Sequence, residues 1–135
     1  MTSAGTSPLR ALFDTSIFVA IETGRTLSAF PQSAAVSVVT LAELQLGVLM
    51  ADLPEIRSRR LSTLTWAQSA FRPLSIDGDI ARTFAELNAE ARRGGGRRPN
   101  VMDAWIAATA VAHSLPLFTQ DRDFLAIPRV QVVLV

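Results

Sequence analysis

Short apolar runs alternating with stretches of helical periodicity constrain this 135-residue chain more than any other feature of its sequence. The runs Leu9–Phe13, Ala35–Val39, Pro73–Ile76, Leu117–Thr119 and Val130–Val135 read as strands. Between them, Thr15–Ile21, Leu41–Met50, Pro54–Phe71, a segment capped by Asp77 and running to about Arg93, and a segment from Pro99-Asn100 to about Ser114 read as helices. Gly24–Gln32 reads as a loop or a short helix. Strands separated by helices require crossover connections, hence an α/β fold around a parallel sheet. Uniformly apolar strands belong to a sheet covered on both faces. In such sheets the working site lies beyond the C-terminal strand ends, at a switch point in strand order. There is no internal repeat and no linker long enough to divide the chain, so residues 9–135 are expected to form a single domain. Residues 1–8, small and polar, are expected to form a flexible tail rather than a signal peptide.

The chemical inventory is narrow. The chain has no cysteine, no tyrosine and no lysine; its 13 basic residues are all arginine, and His113 is its one histidine. A thiol nucleophile, a Schiff-base lysine and a phosphate-binding P-loop are excluded. The absence of cysteine fits a cytoplasmic protein. The longest apolar stretches are too short to span a bilayer, so no membrane association is expected. The net charge of +1 does not by itself imply a nucleic-acid partner.

Four carboxylates follow or interrupt the apolar runs: Asp14, Glu43, Asp103 and Asp121. Each has an ordinary structural role open to it. Asp14 can cap the helix after it. Asp121 and Asp123 can be turn acids after a strand. Asp103, three residues after Asn100, suits the first turn of a helix by capping and dipole. Glu43 shares a helical face with Val39, Leu46 and Met50, where an ionised carboxylate is costly unless paired with an arginine or a metal. Taken together, two acids at parallel strand ends and two on helices that start near that edge converge on one place. Like charges so close repel unless a counter-charge intervenes, and an all-oxygen donor set selects Mg²⁺ or Mn²⁺.

LFDTSIFVA at the start, SVVTLAELQLGV around Glu43, PNVMDAWIAATAVAH around Asp103 and LFTQDRDF near the end resemble, in this order, a PIN domain, and within that family a VapC-type toxin of bacterial toxin–antitoxin pairs. The resemblance covers nearly the whole chain from Leu9. It implies a three-layer α/β/α fold and an acid cluster of Asp14, Glu43, Asp103 and Asp121 that binds Mg²⁺ or Mn²⁺. It further implies endoribonuclease activity on tRNA or rRNA, inhibition by a VapB-type antitoxin, and a homodimer. Thr15 and Thr119 match positions where the family keeps a hydroxyl. The tail before the first acid is longer than is usual in the family, and Asp121 and Asp123 can share or exchange roles.

Catalysis by such a site would place Asp14 and Asp103 on an ion, Glu43 on the attacking water, and Asp121 at the same or a second ion. His113 falls ten residues beyond Asp103, roughly 15 Å along a helix, and suits a helix end better than a catalytic base. Arg92, Arg93, Arg97 and Arg98 flank Gly94-Gly95-Gly96 and can clamp RNA phosphates or simply solvate a helix end. Trp105 is expected in the core, and Trp66 in the core or at an interface. A phosphoaspartyl receiver or a haloacid-dehalogenase-type phosphatase, also acid-rich and α/β, is set aside because by family resemblance both require a lysine near the phosphate and this chain has none. A DNA- or structure-specific nuclease, and a non-catalytic protein with a degenerate metal site, remain the alternatives.

Overall fold

A computed structural model describes residues 9–135. The elements run β1 Arg10–Phe13, α1 Thr15–Glu22, β2 Ser33–Ser37, α2 Val38–Leu49, α3 Pro54–Ala70, β3 Arg72–Leu74, α4 Gly78–Arg93, α5 Val101–Ala112, β4 Leu117–Thr119, a 3₁₀ helix Arg122–Ala126, and β5 Val132–Leu134. The expected flexible tail at residues 1–8 lies outside the described residues. Among the described residues no helix is long and apolar enough to cross a membrane.

The five strands form one parallel sheet in the order β3-β2-β1-β4-β5. Because β1 is central, the chain builds outward to β3, returns, and completes the sheet on the other side. The switch point therefore falls between β1 and β4. Successive side chains of a strand face opposite ways, and β1 shows it. Leu12 packs with Ile80, Leu87, Ile106 and Phe124 on one face, while Ala11 and Phe13 pack with Phe18, Leu64 and Phe118 on the other. The helices thus form two outer layers, the α/β/α arrangement expected from the sequence. Helix α5, apolar nearly all round, is the most deeply buried: Ala104, Ile106, Ala107, Ala108 and Ala110 have no exposed surface. Trp105 stacks on Phe84 with ring centroids 3.7 Å apart, and Trp66 packs edge-on against Phe18 and Phe71.

Two local expectations are corrected. The second strand was expected at Ala35–Val39 but ends at Ser37, where the side chain accepts the Val39 amide at 3.0 Å and starts α2 at Val38, three residues before the expected Leu41. A good N-cap outweighs the strand preference of consecutive valines. The supposed apolar stripe around Glu43 is also not buried: Val39 is 7% exposed, but Leu46 and Met50 are 56% and 67% exposed. The buried face of α2 is instead Val39, Thr40, Leu44 and Val48. The 3₁₀ helix at Arg122–Ala126 was not anticipated, and no helix forms in residues 24–32.

Candidate active site

Register places the site. Phe13 pairs with Phe118, so Asp14 and Thr119 emerge side by side at the ends of β1 and β4, with the Asp14 amide donating to the Phe118 carbonyl at 3.0 Å. Asp14 is 4% exposed and Thr119 fully buried. The Thr119 hydroxyl donates to Asp14 Oδ2 at 2.8 Å and accepts the Asp121 amide at 2.9 Å. Ser16 Oγ lies 3.1 Å from Thr119 Oγ1 and accepts the Gln120 amide at 2.9 Å. Each hydroxyl has one proton. Since that of Thr119 goes to the carboxylate, Ser16 donates to Thr119. The network joins two strand ends over 100 residues apart in sequence and fixes one oxygen of Asp14.

Glu43 approaches from α2, half-buried. Thr15 Oγ1 donates to its Oε1 at 2.6 Å and stands 3.1 Å from the buried Thr40 hydroxyl. Both contacts have Thr15 as donor, and its single proton goes to the carboxylate, the shorter of the two. No arginine pairs with Glu43 among the described residues. Burial raises the Glu43 carboxyl above its usual range; the Thr15 bond opposes this, and the Asp14 charge adds to it.

Asp103 enters from the first turn of α5, whose N-cap Asn100 accepts the Met102 and Asp103 amides at 2.9 and 3.2 Å. Burial, then the charges of Asp14, Asp121, Glu43 and Asp123 in that order, push its carboxyl up to about 7. Asp103 is thus within electrostatic reach of the other four acids. The structural roles open to these acids are real but do not compete with a site. Asp14 also caps α1, accepting Ser16 N at 3.3 Å, and Asp121 caps the 3₁₀ helix, accepting Asp123 N at 2.9 Å.

The acids interact electrostatically without yet forming a coordination shell: among the described residues no three lie close enough to hold one ion. Coulomb interaction falls off slowly with distance, whereas ligation needs oxygens about 2.0–2.1 Å from one point, so the acids can repel one another without forming a shell. The donor set fits a hard divalent cation, with oxygen ligands alone and an unbalanced negative charge.

The basic segment divides. Arg97 and Arg98 line a cavity of about 680 Å³ beside Asp103, Asn100 and Asp123, whereas Arg93 lines a separate one with Glu86, Glu90 and Arg129. Arg92 is exposed at the end of α4 and lines neither. His113 is the exposed C-cap of α5, at the end opposite Asp103. Sequence reasoning missed Ser16, Thr40 and Arg122. Ser16 had a signal, a second hydroxyl after a strand-end acid, and so did Arg122, a cation between two acids. Thr40 had none.

The PIN domain family matches residues 11–130. The ribonuclease VapC4 of Mycobacterium tuberculosis is 47% identical over 92% of this chain and 95% of its own length. The chain belongs to the PIN domain family, among the VapC ribonucleases. VapC5 of the same organism is 44% identical, covering 90% of each chain. The crystal structure of VapBC-5, a toxin–antitoxin system of M. tuberculosis, superposes with a TM-score of 0.83 at 38% identity over 95% of this chain and 98% of that one. A PIN fold is thus common ground between sequence, structure and relatives.

One consequence concerns pH. Between about 4 and 7 the folded protein holds a proton on Asp103 that the unfolded chain has released. Its contribution to stability is therefore fully present below the ordinary aspartate range and is lost as pH rises through about 7. Glu43 acts in the same direction. Metal-free protein is expected to melt at a lower temperature at pH 8 than at pH 5.5, and Asp103→Asn to flatten that difference. Thermal melts in EDTA at the two pH values check it; a wild-type profile that rises toward pH 8 and is unchanged by the substitution contradicts it.

Proposed function

We propose that this chain is a divalent-metal-dependent endoribonuclease, the toxin of a toxin–antitoxin pair, that cleaves structured RNA such as tRNA or rRNA. The observation that supports the reading is the electrostatic coupling of Asp103 to Asp14, Glu43 and Asp121, beside the switch point of a chain 47% identical to a named ribonuclease. Asp14 and Asp103 would hold Mg²⁺ or Mn²⁺, with Asp121 completing the set. The ion, when bound, supplies charge neutralisation at the scissile phosphate and a water of lowered pKa. The protein's own groups do the rest. The Thr119 hydroxyl and the Ser16 amide hold Oδ2 of Asp14, and Oδ1 would be the oxygen available to the ion. Thr15 holds Glu43 Oε1, leaving Oε2 to orient the attacking water and accept its proton. The raised Glu43 carboxyl is closer to the pH range in which a general base works best. Cleavage would leave 5′-phosphate and 3′-hydroxyl ends.

The test is incubation of purified protein with total RNA, and with DNA of matched sequence, in Mg²⁺ or Mn²⁺ and in EDTA. RNA cleavage confined to the metal-containing reactions is expected. Cleavage of DNA alone moves the reading to a DNA nuclease, and no cleavage of either leaves a non-catalytic protein.

For the partner, the structure neighbours include toxin–antitoxin complexes, and α2 and α3 leave apolar side chains in solvent. Leu46, Leu49, Met50, Leu53 and Leu61 are 49–69% exposed, although Leu44 and Leu64 are buried. Exposed apolar residues in this density suit a protein partner. We assign them to an amphipathic helix of a VapB-type antitoxin, with a second copy of the chain, in a homodimer, as the competing occupant. Co-expression with the neighbouring small open reading frame is expected to yield a stable complex, lost at least 10-fold in affinity for Leu49→Glu while RNA cleavage by the free variant persists. A complex unaffected by Leu49→Glu, alongside wild-type chain that becomes monomeric through it, would give the face to the homodimer.

A further inference from the structure

A cavity lies beside Asp103, and apart from that residue the cleavage mechanism uses none of its lining. Its volume of about 680 Å³ lies within the ~300–1,000 Å³ of sites that enclose small ligands. One wall is the loop Arg97–Asn100 before α5; the other is the unanticipated 3₁₀ helix, which contributes Arg122, Leu125 and Ala126, followed by Ile127. Each wall carries arginine, and the 3₁₀ helix adds Asp123 and the apolar side chains. Arg97, Arg98 and Arg122 are exposed, and none is in an ion pair among the described residues, where the paired arginines are Arg82 and Arg129. Leu125, 53% exposed, lies with Ala126 and Ile127 as an apolar floor. Asp103, at the mouth, joins the cavity to the acid cluster.

We propose that this cavity is the subsite for one unpaired nucleotide next to the scissile phosphate, its base on Leu125, Ala126 and Ile127 and its flanking phosphates on Arg97, Arg98 and Arg122. The inference rests on the ribonuclease reading for the identity of the polymer. Three guanidiniums around a space of this size match the phosphates on either side of one nucleoside, since each can grip a phosphate bidentately. The apolar floor has no use for a phosphate and needs a base face. A paired base cannot reach it, because a duplex keeps its bases stacked, whereas loop nucleotides splay out and lie on apolar or guanidinium surfaces. The 3₁₀ helix thus becomes a specificity element: its exposed side chains can vary without disturbing the core, which it meets through Phe124.

The experiment measures binding, so that it stands apart from cleavage. Asp14→Asn protein, which is not expected to cut, is titrated into a labelled single-stranded 12-nucleotide RNA of mixed sequence and into the same RNA annealed to its complement. Single strand is expected to bind at least 10-fold more tightly than duplex. Adding Ala126→Phe, which fills the cavity from an exposed position without changing charge, is expected to remove most of that preference. Adding Arg122→Gln is expected to weaken binding several-fold and to lower the slope of log K against log salt by about 0.7. Equal binding of both RNAs, no binding of either, or binding indifferent to Ala126→Phe overturns the proposal. So does displacement of the RNA by an acidic peptide whose own binding is lost with Ala126→Phe, which would give the cavity to a protein partner. Failure of the ribonuclease reading looks different: wild-type protein would bind single strand in this pattern and leave it intact in Mg²⁺ and Mn²⁺.

Discussion

Asp103→Asn, and separately Asp14→Asn, is expected to lower RNA cleavage by more than about 100-fold while leaving the fold in place. Loss of an outer-shell partner typically costs 10–100-fold in metal-site function, and a group placed directly on the ion should cost more. Folding should survive for reasons particular to each residue. Asp103 is half-buried among four other acids and is held above its ordinary range, so a neutral amide removes repulsion. At Asp14, asparagine keeps an oxygen to accept the Thr119 hydroxyl and the Ser16 amide. Circular dichroism and cleavage of the same preparations separate the two effects. Either variant retaining wild-type cleavage would remove its residue from the reaction.

The second large effect is thermal. A ligand that binds only the folded state stabilises it by about 2.7 kcal/mol at 100 times its Kd, which for a chain of this size is roughly 10 °C in Tm. Mg²⁺ or Mn²⁺ is therefore expected to raise the Tm of the wild-type protein by that order at saturating concentration, and to raise that of Asp14→Asn far less. The increment should also grow with pH up to about 8, because the ion competes with the proton that Asp103 retains up to about 7. Equal increments in wild type and variant would place the ion elsewhere.

What the sequence revealed and what it hid divide along the distance over which each interaction acts. The α/β alternation and the placing of Asp14 and Asp121 just past strand ends are local patterns, and the structure reproduces them. Asp103 stood out because an acid opens a helix that is otherwise apolar nearly all round. The β2–α2 boundary went astray because Val38 and Val39 favour a strand by local preference, while the Ser37 cap that turns the chain acts through one hydrogen bond. The burial of the Glu43 stripe was overestimated for another reason. Helical spacing identifies a shared face but not whether that face meets the core, and Leu46 and Met50 face solvent. The hydroxyl network of Ser16 and Thr119 joins positions 103 apart, so only the pairing of β1 with β4 brings it together. Arg92, Arg93, Arg97 and Arg98 form one cluster in sequence, but the end of α4 at Gly94-Gly95, with Gly95 at φ +75°, sends them to different sides.

The central claim is that this acid cluster cuts RNA in the cell, and mapping of new 5′-phosphate ends after brief expression tests it most directly. Wild-type chain is expected to produce a small set of discrete new ends in structured RNA that Asp14→Asn does not produce. The same ends at the same abundance from both proteins would contradict it.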